Sequence, residues 1–457
     1  VKGFRHRPSR PAMDMPSLLL ATGGHQIEAA ETLIEAGRFI VILFAARALA
    51  ELMVRFRLPA ILGELVAGVL IGVSGLHLIL APELGGQLNA LAEGTIAALA
   101  HVGPDQVQEI YDHGFSNLQA VAKIGLLALL FLTGLESELD ELMAVGGQAI
   151  TVAITGVVLP FALGTFGLQF LFGVPLLPAI FAGAAMTATS IGITASVLGE
   201  LKFLRTREGQ TVIGAAVLDD ILGIVILAVV VALAGGEGFS LGPILKLIAA
   251  AAVFVVVALF LSRTAAPPFD GLLDRLKAPG EVVVAAFLVL SLACFAAQAF
   301  GLEAALGAFA GGLILSGSRH RHAIEEAVKP LVALFATVFF VLIGSGMDLS
   351  VLNPFNAANH EGLVMAGFLL AAAVVSKVAA GWSYLSSGPT NRLAVGLGMM
   401  PRGEVGLIFL GLGTQTGVLG PSLEAAILLM VMGTTFLAPV LLRLVLADAG
   451  EAAEVVG

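Results

Sequence analysis

Charge is what this sequence has least of. Asp, Glu, Lys and Arg make up 12% of its 457 residues while 58% are hydrophobic, against about 25% charged in an ordinary soluble domain. So little polar surface cannot clothe a water-soluble globule, which excludes a soluble enzyme. Cysteine is nearly absent as well: Cys294 stands alone in an apolar run, so the chain has no internal disulfide framework and its cysteine usage reports nothing about the redox compartment. Also missing is the period-2 alternation of short strands that an outer-membrane barrel requires. What is present instead is a mean hydropathy of +1.00, carried by apolar stretches of about 20 residues, the length that crosses a ~30 Å hydrocarbon core. The expected fold class is all-α, a polytopic helical membrane protein.

Apolar runs punctuated by charge, Gly and Pro predict about thirteen spans, near 28–54, 59–77, 118–134, 147–172, 175–199, 210–234, 241–262, 280–300, 302–317, 327–346, 362–386, 390–416 and 421–446. Residues 1–26 are expected to be an N-terminal tail, 27–446 the transmembrane domain and 447–457 a C-terminal tail. The longest connection, 78–117, mixes Glu83, Glu93, Asp105, Glu109 and Asp112 with apolar residues at helical spacing and reads as an interfacial amphipathic segment. An odd number of spans puts the termini on opposite sides. Thirteen Lys and Arg, from Arg55 and Arg57 through Lys202 and Arg319 to Arg443, fall on the side of the C-terminus, against Lys2, Arg5, Arg7 and Arg10 in the tail on the other. Positive charge marks the cytoplasmic side, so the N-terminus is expected outside and the C-terminus in the cytoplasm.

Thirteen spans divide as six, a linking span and six, and an offset of seven inverts the second half relative to the first, a transporter signature. Such a repeat predicts interrupted helices in corresponding positions. Span 5 contains MTATSIGIT (186–194), β-branched and hydroxyl residues that form helix poorly. Span 12 contains GMMPRGEVG (398–406), where Pro401 removes an amide donor and Arg402 and Glu404 lie at depth.

Ionisable residues at mid-membrane cost roughly 2.5 to 3.5 kcal/mol each on insertion scales, so each needs a partner or a function. Asp219 and Asp220 are adjacent in span 6 and Lys377 lies within span 11. Successive helical positions differ by about 100°, so the two carboxylates face different neighbours and do not share one proton. At 1.5 Å per residue Asp220, Lys377, Thr189 and the Pro401–Glu404 break all lie ~14 to 20 Å from the cytoplasmic face, the plane where transporters place a site between broken helices.

The strings LPAILGELVAGVLIGVSGL (58–76), FLTGLESELDEL (131–142), TATSIGITASVLGEL (187–201), AAVLDDILGIVILAVV (215–230), VVSKVAAGW (374–382) and MPRGEVGLI (400–408) together resemble the bacterial sodium/proton antiporters of the second cation-proton antiporter family, close to its cyanobacterial members. The resemblance spans about 28–446. It implies thirteen helices with crossed broken helices, dimerisation and core subdomains interleaved in sequence, and a homodimer. It also implies exchange of Na+, with Li+ or K+ as alternative cargo, for H+ by alternating access with net charge movement, in a bacterial plasma membrane or a thylakoid, serving sodium and pH homeostasis. Carried over, Asp220 is the main cation and proton carboxylate with Asp219 beside it at the Na+ site, Asp219 is the partner of Lys377, and Thr187, Thr189 and Ser190 form the unwound crossing. No enzymatic activity, cofactor or nucleic-acid partner is expected. Potassium-efflux relatives typically carry a nucleotide-binding domain; no dinucleotide fingerprint stands before Gly457, so that regulation is not expected within this chain.

Two other classes are weighed. An organic-anion symporter on a related fold would have a wider, apolar site and no need for a carboxylate pair with a lysine. An intramembrane aspartyl protease needs its aspartates on separate helices, whereas these are adjacent on one. Among weaker signals, Arg402 and Glu404 read as charges that neutralise each other and the helix ends. Glu136, Glu138, Asp140 and Glu141 read as a solvated face or a cation-attracting funnel. Glu64 and Glu303 read as satisfied polar residues, and His320 and His322 as a loop pair without the companions of a metal site.

Overall fold

The computed structural model describes residues 15–56, 58–80, 88–137, 139–234, 241–275, 280–353, 355, 359–384 and 390–454, and among these no strand occurs. The helices are α1 (Met15–Arg55), α2 (Ala60–Ile71), α3 (Ala90–Ala100), α4 (Pro104–Glu136), α5 (Leu139–Ala144), α6 (Gly146–Phe172), α7 (Leu176–Ala185), α8 (Ile191–Glu200), α9 (Arg207–Ala234) and α10 (Leu241–Thr264). They continue with α11 (Ala266–Leu273), α12 (Glu281–Ala299), α13 (Ala304–Leu315), α14 (Arg321–Ser345), α15 (His360–Trp382), α16 (Arg392–Gly398), α17 (Glu404–Gln415) and α18 (Pro421–Glu454).

Among the described residues eight helices are long and apolar enough to cross a membrane, on α4, α6, α9, α10, α12, α14, α15 and α18. The other five expected spans fall on α1, α2, α7 with α8, α13, and α16 with α17, which are charged, short or interrupted, so length and composition alone do not count them as crossings. α2, at 12 residues, reaches only ~18 Å. The expected tail is partly helix: α1 starts at Met15 and α18 runs to Glu454, while 1–14 and 455–457 lie outside the described residues. The expected interfacial segment divides into α3 and the first turns of α4, with 81–87 outside the described residues. α3 is started by Asn89, whose side chain accepts from the Leu91 amide.

Packing sorts the helices into two groups. In the first, α4 lies against α13 and α14, α2 against α1 and α14, and α12 against α13; in the second, α15 lies against α6, α16 and α18, α6 against α7 and α9, and α17 against α7. α8 is tied to the second group by α9 and by Thr194, which donates to Gly398, and also lies against α4 and α2 of the first, while α10 reaches α9 on one side and α13 on the other. Without a hydrophobic drive in lipid, close backbone approach is the source of helix association. α4 and α13 interlock in this way: a Cβ on Gly134 would stand 2.1 Å from the Phe309 carbonyl oxygen, and one on Gly312 1.9 Å from that of Phe131. The second group is filled by Phe181, Met365, Leu369, Phe409, Ile427 and Met430, all buried.

Both expected interruptions are present. Helix stops at Ala185 and resumes at Ile191, and stops at Gly398 and resumes at Glu404. The half-helices cross: the Ser190 amide donates to the Pro401 carbonyl at 2.9 Å, tying one unwound segment to the other. Gly403 allows the approach, since a Cβ there would fall 2.7 Å from Ser190 Oγ.

Candidate functional site

Unwinding a helix inside a membrane frees amides and carbonyls that water cannot reach, so each must find a partner within the protein. At the α7–α8 break the Thr187 hydroxyl turns back to the Ala184 carbonyl, 2.7 Å away. Arg402, fully buried, reaches across from the other break and donates Nη1 to the carbonyls of Thr187 at 2.7 Å and Ala188 at 2.5 Å. The Arg402 carbonyl in turn accepts from Thr435 of α18 at 2.6 Å, and Thr194 donates to Gly398 at 3.0 Å. Four half-helix ends therefore meet around one cationic side chain. The N-termini of α8 and α17 bring partial positive charge to this point and the C-termini of α7 and α16 partial negative charge.

Beside the crossing lies an ion pair with no solvent exposure. Lys377 of α15 donates from Nζ to Asp219 Oδ2 of α9 at 2.9 Å, and both side chains are 0% exposed. Thr189 joins them: its oxygen accepts from Lys377 Nζ at 3.1 Å, and its hydroxyl lies 2.6 Å from Asp219 Oδ2 and 2.9 Å from the Met399 carbonyl, either of which can take its one proton. Removing two charges from water costs several kcal/mol per ion. The pair recovers this only through its mutual attraction and the Thr189 hydrogen bonds.

The structure brings Asp219, Lys377, Thr187, Thr189, Ser190 and Arg402 into one buried cluster, with Asp220 next on α9 and 7% exposed. Asp219 Oδ1, Ser190 Oγ and the Nε and Nη2 of Arg402 are buried and have no hydrogen-bond partner among the described residues. Such groups are costly unless something else completes them. Carboxylate and hydroxyl oxygens are hard donors of the kind a small monovalent cation takes, and carboxylates can also hold protons. The Glu404 side chain lies outside the described residues, so the expected pairing with Arg402 is not described; the Nη1 of Arg402 goes to carbonyls. The carbonyls of Met399 and Gly398 are not announced by residue type because they belong to the backbone; the sequence signals only the break itself, through Pro401 and the charges at 402 and 404.

Elsewhere, Glu64 accepts from Thr337 at 2.7 Å, and Glu303 immediately precedes α13. The Glu136 carbonyl accepts from Arg321 at 3.0 Å and Asp140 is exposed, while Glu138 and the side chain of Glu141 lie outside the described residues. His320 contacts Asp274 at 2.9 Å, and His322 stands 3.6 Å from Glu326.

Residues 40–448 match a family described as "Sodium/hydrogen exchanger, transmembrane". The chain is 46% identical over 411 residues to the high-affinity Na+/H+ antiporter NhaS3 of Synechocystis, covering 90% of this chain and 89% of the relative. It is 28% identical to the Na+/H+-K+ antiporter GerN of Bacillus cereus, over 88% and 94% of the two chains. The solved structure of the sodium proton antiporter MjNhaP1 from Methanocaldococcus jannaschii at pH 8 superposes with a TM-score of 0.58 at 18% identity, covering 92% of this chain and 98% of that one, a likeness of fold.

Proposed function

This chain belongs to the sodium/hydrogen exchanger family, and on that premise we propose that it exchanges Na+ for H+ across a bacterial membrane by alternating access. The observation that carries the reading is the fully buried Lys377–Asp219 pair, 2.9 Å apart, set against the crossing of two broken helices and adjacent to Asp220. The relatives' names point to the same cargo.

In this reading Asp220 holds either a proton or the cation, never both, which makes exchange obligatory. Asp219 Oδ1 and Ser190 Oγ, both without partners among the described residues, complete the ion's coordination together with oxygens of Thr187 and Thr189. When Asp219 turns toward the cation, Lys377 loses its counter-ion and releases a proton, so two protons leave for each Na+ and the exchange carries net charge. The two packed groups act as core and dimerisation bodies, the group holding α9, α15 and the crossing moving against the other. The protein works as a homodimer with its N-terminus outside and its C-terminus in the cytoplasm, and serves sodium and pH homeostasis.

Dye quenching in proteoliposomes on addition of Na+, K+ or Li+ tests this directly. Cation-dependent proton movement is expected, strongest with Na+. A protein that moves no protons with any of the three, or that does so only with an organic anion, overturns the reading.

A further inference from the structure

α2 begins without a cap of its own. Pro59 stands at its N-cap, a residue with no side-chain acceptor, and no side chain of the local sequence bonds the first-turn amides. Those amides are partnered from 140 residues away in sequence: Glu200, the last residue of α8, accepts from the Ala60 amide through Oε2 at 2.6 Å and from the Ile61 amide through Oε1 at 3.2 Å. Both carboxylate oxygens are used, one on each donor. A carboxylate at a helix N-terminus gains from the orphan amides and from the dipole together. The other carboxylate of α2, Glu64, is engaged with Thr337, so Glu200 is the acidic group bonded to this end of the helix.

The position of Glu200 gives the contact a role beyond capping. α8 starts at Ser190 and Ile191, directly after Thr189, and ends at Glu200. One 10-residue rod, ~15 Å long, thus has its first turn at the ion site and its last side chain on α2, in the other packed group. Building on the antiport reading above, we propose that Glu200 is a positioning residue for transport: its carboxylate clasps α2 and weights the exchanger toward the conformation in which α8 is docked there. Glu200 is exposed, so water can take over its hydrogen bonds when the clasp opens. Alternating access requires the group carrying α8 to shift against the group carrying α2. The clasp is released and remade in each cycle.

Glu200→Ala, Glu200→Gln and Glu200→Asp separate charge from packing. Gln keeps the volume and one acceptor oxygen but loses the charge and the second acceptor, so it can serve only one of the two amides and is expected to fall between wild type and Ala, whereas Asp keeps the charge on a shorter stem and restores part of the effect. Hydrogen exchange of the Ala60 and Ile61 amides is expected to accelerate roughly fivefold in the Ala protein, the typical worth of one N-cap, and by less in the Gln protein. In vesicles of each orientation, the same two variants are expected to weaken apparent Na+ affinity from the side open in the clasped state and tighten it from the other, with the maximal rate less affected. Unchanged exchange at Ile61, or a Gln protein identical to wild type, overturns the proposal. So does a loss of affinity from both sides alike, which is a merely structural defect. A wild-type protein without Na+/H+ exchange speaks against the antiport reading alone, because the amide measurement still decides for or against the clasp.

Discussion

Lys377 and Asp219 meet at 2.9 Å with Thr189 bridging them, and none of the three side chains is more than 1% exposed. Neither charge can be changed without addressing the other. Lys377→Gln leaves Asp219 facing an amide in a dry pocket, so stability should fall by about 3 to 5 kcal/mol wherever Asp219 stays ionised, read as thermal stability in detergent. Exchange that survives should approach one proton per Na+ and lose its voltage dependence. Currents undiminished in an exchanging Lys377→Gln protein would show that the second proton rides elsewhere.

Asp220→Asn keeps shape but cannot trade a proton for a cation. Na+-dependent proton flux should fall to background while the protein stays folded and inserted, checked by size-exclusion profile and vesicle flux on the same preparation. Near wild-type flux would remove Asp220 from its assigned role.

Thr189→Val conserves volume and removes the oxygen that serves Lys377, Asp219 and the Met399 carbonyl. Leaving buried donors and acceptors short of a partner costs about 1 to 3 kcal/mol. Apparent Na+ affinity should weaken by about tenfold, measured as the half-saturating Na+ concentration for flux across a pH series.

Gly156 of α6 faces the lysine, and a Cβ there would stand 3.2 Å from Lys377 Nζ. Ala in a helix interior is ordinarily favoured over Gly by about 1 kcal/mol. Gly156→Ala should lower exchange severalfold because the methyl crowds the ammonium held by Asp219, and thermal stability should fall, since weakening that buried pair outweighs the helix gain. A variant as active as wild type would mean that Lys377 has slack in its position.

Asp270 on α11, outside the spans, offers a pH test of stability. Burial opposes its ionisation, but the Ser318 hydroxyl, the Arg319 amide at 3.1 Å and the Arg319 guanidinium at 3.4 Å outweigh that and hold its carboxyl below the ordinary 3.8. A folded value below the unfolded one stabilises fully above about 3.8 and is lost as pH falls through the lower folded value. Melting temperatures across acid pH should decline over that window in wild type and lose this component in Asp270→Asn.

The sequence made the fold legible where chemistry conflicted with position. A hydroxyl-rich run at 186–194 and a proline at 401, inside stretches otherwise apolar enough to be continuous helix, marked both interruptions. Asp219 and Lys377 were likewise conspicuous because a lone charge at depth demands a counter-charge. The Glu200 contact was not legible: a glutamate at the end of an apolar helix looks like any boundary residue, and its partners are main-chain amides of Ala60 and Ile61, which no residue type announces. Nor could hydropathy find the start of α1 at Met15 or the end of α18 at Glu454, since helix continues beyond the apolar stretch that signals it.

The reciprocal glycine contacts between α4 and α13 bear on where the molecule can yield. With Gly134 against Phe309 and Gly312 against Phe131, each backbone sits in a notch of the other, and a slip along the shared axis would drive carbonyl oxygens into the neighbouring main chain within a single residue's rise. Those two helices must travel as one girder. Shear is left to seams made of side chains, and where α8 meets α4 and α2 apolar side chains such as Ile193, Leu126 and Leu65 share one buried cluster, with the exposed Glu200 carboxylate as a polar fastening whose bonds water can take over.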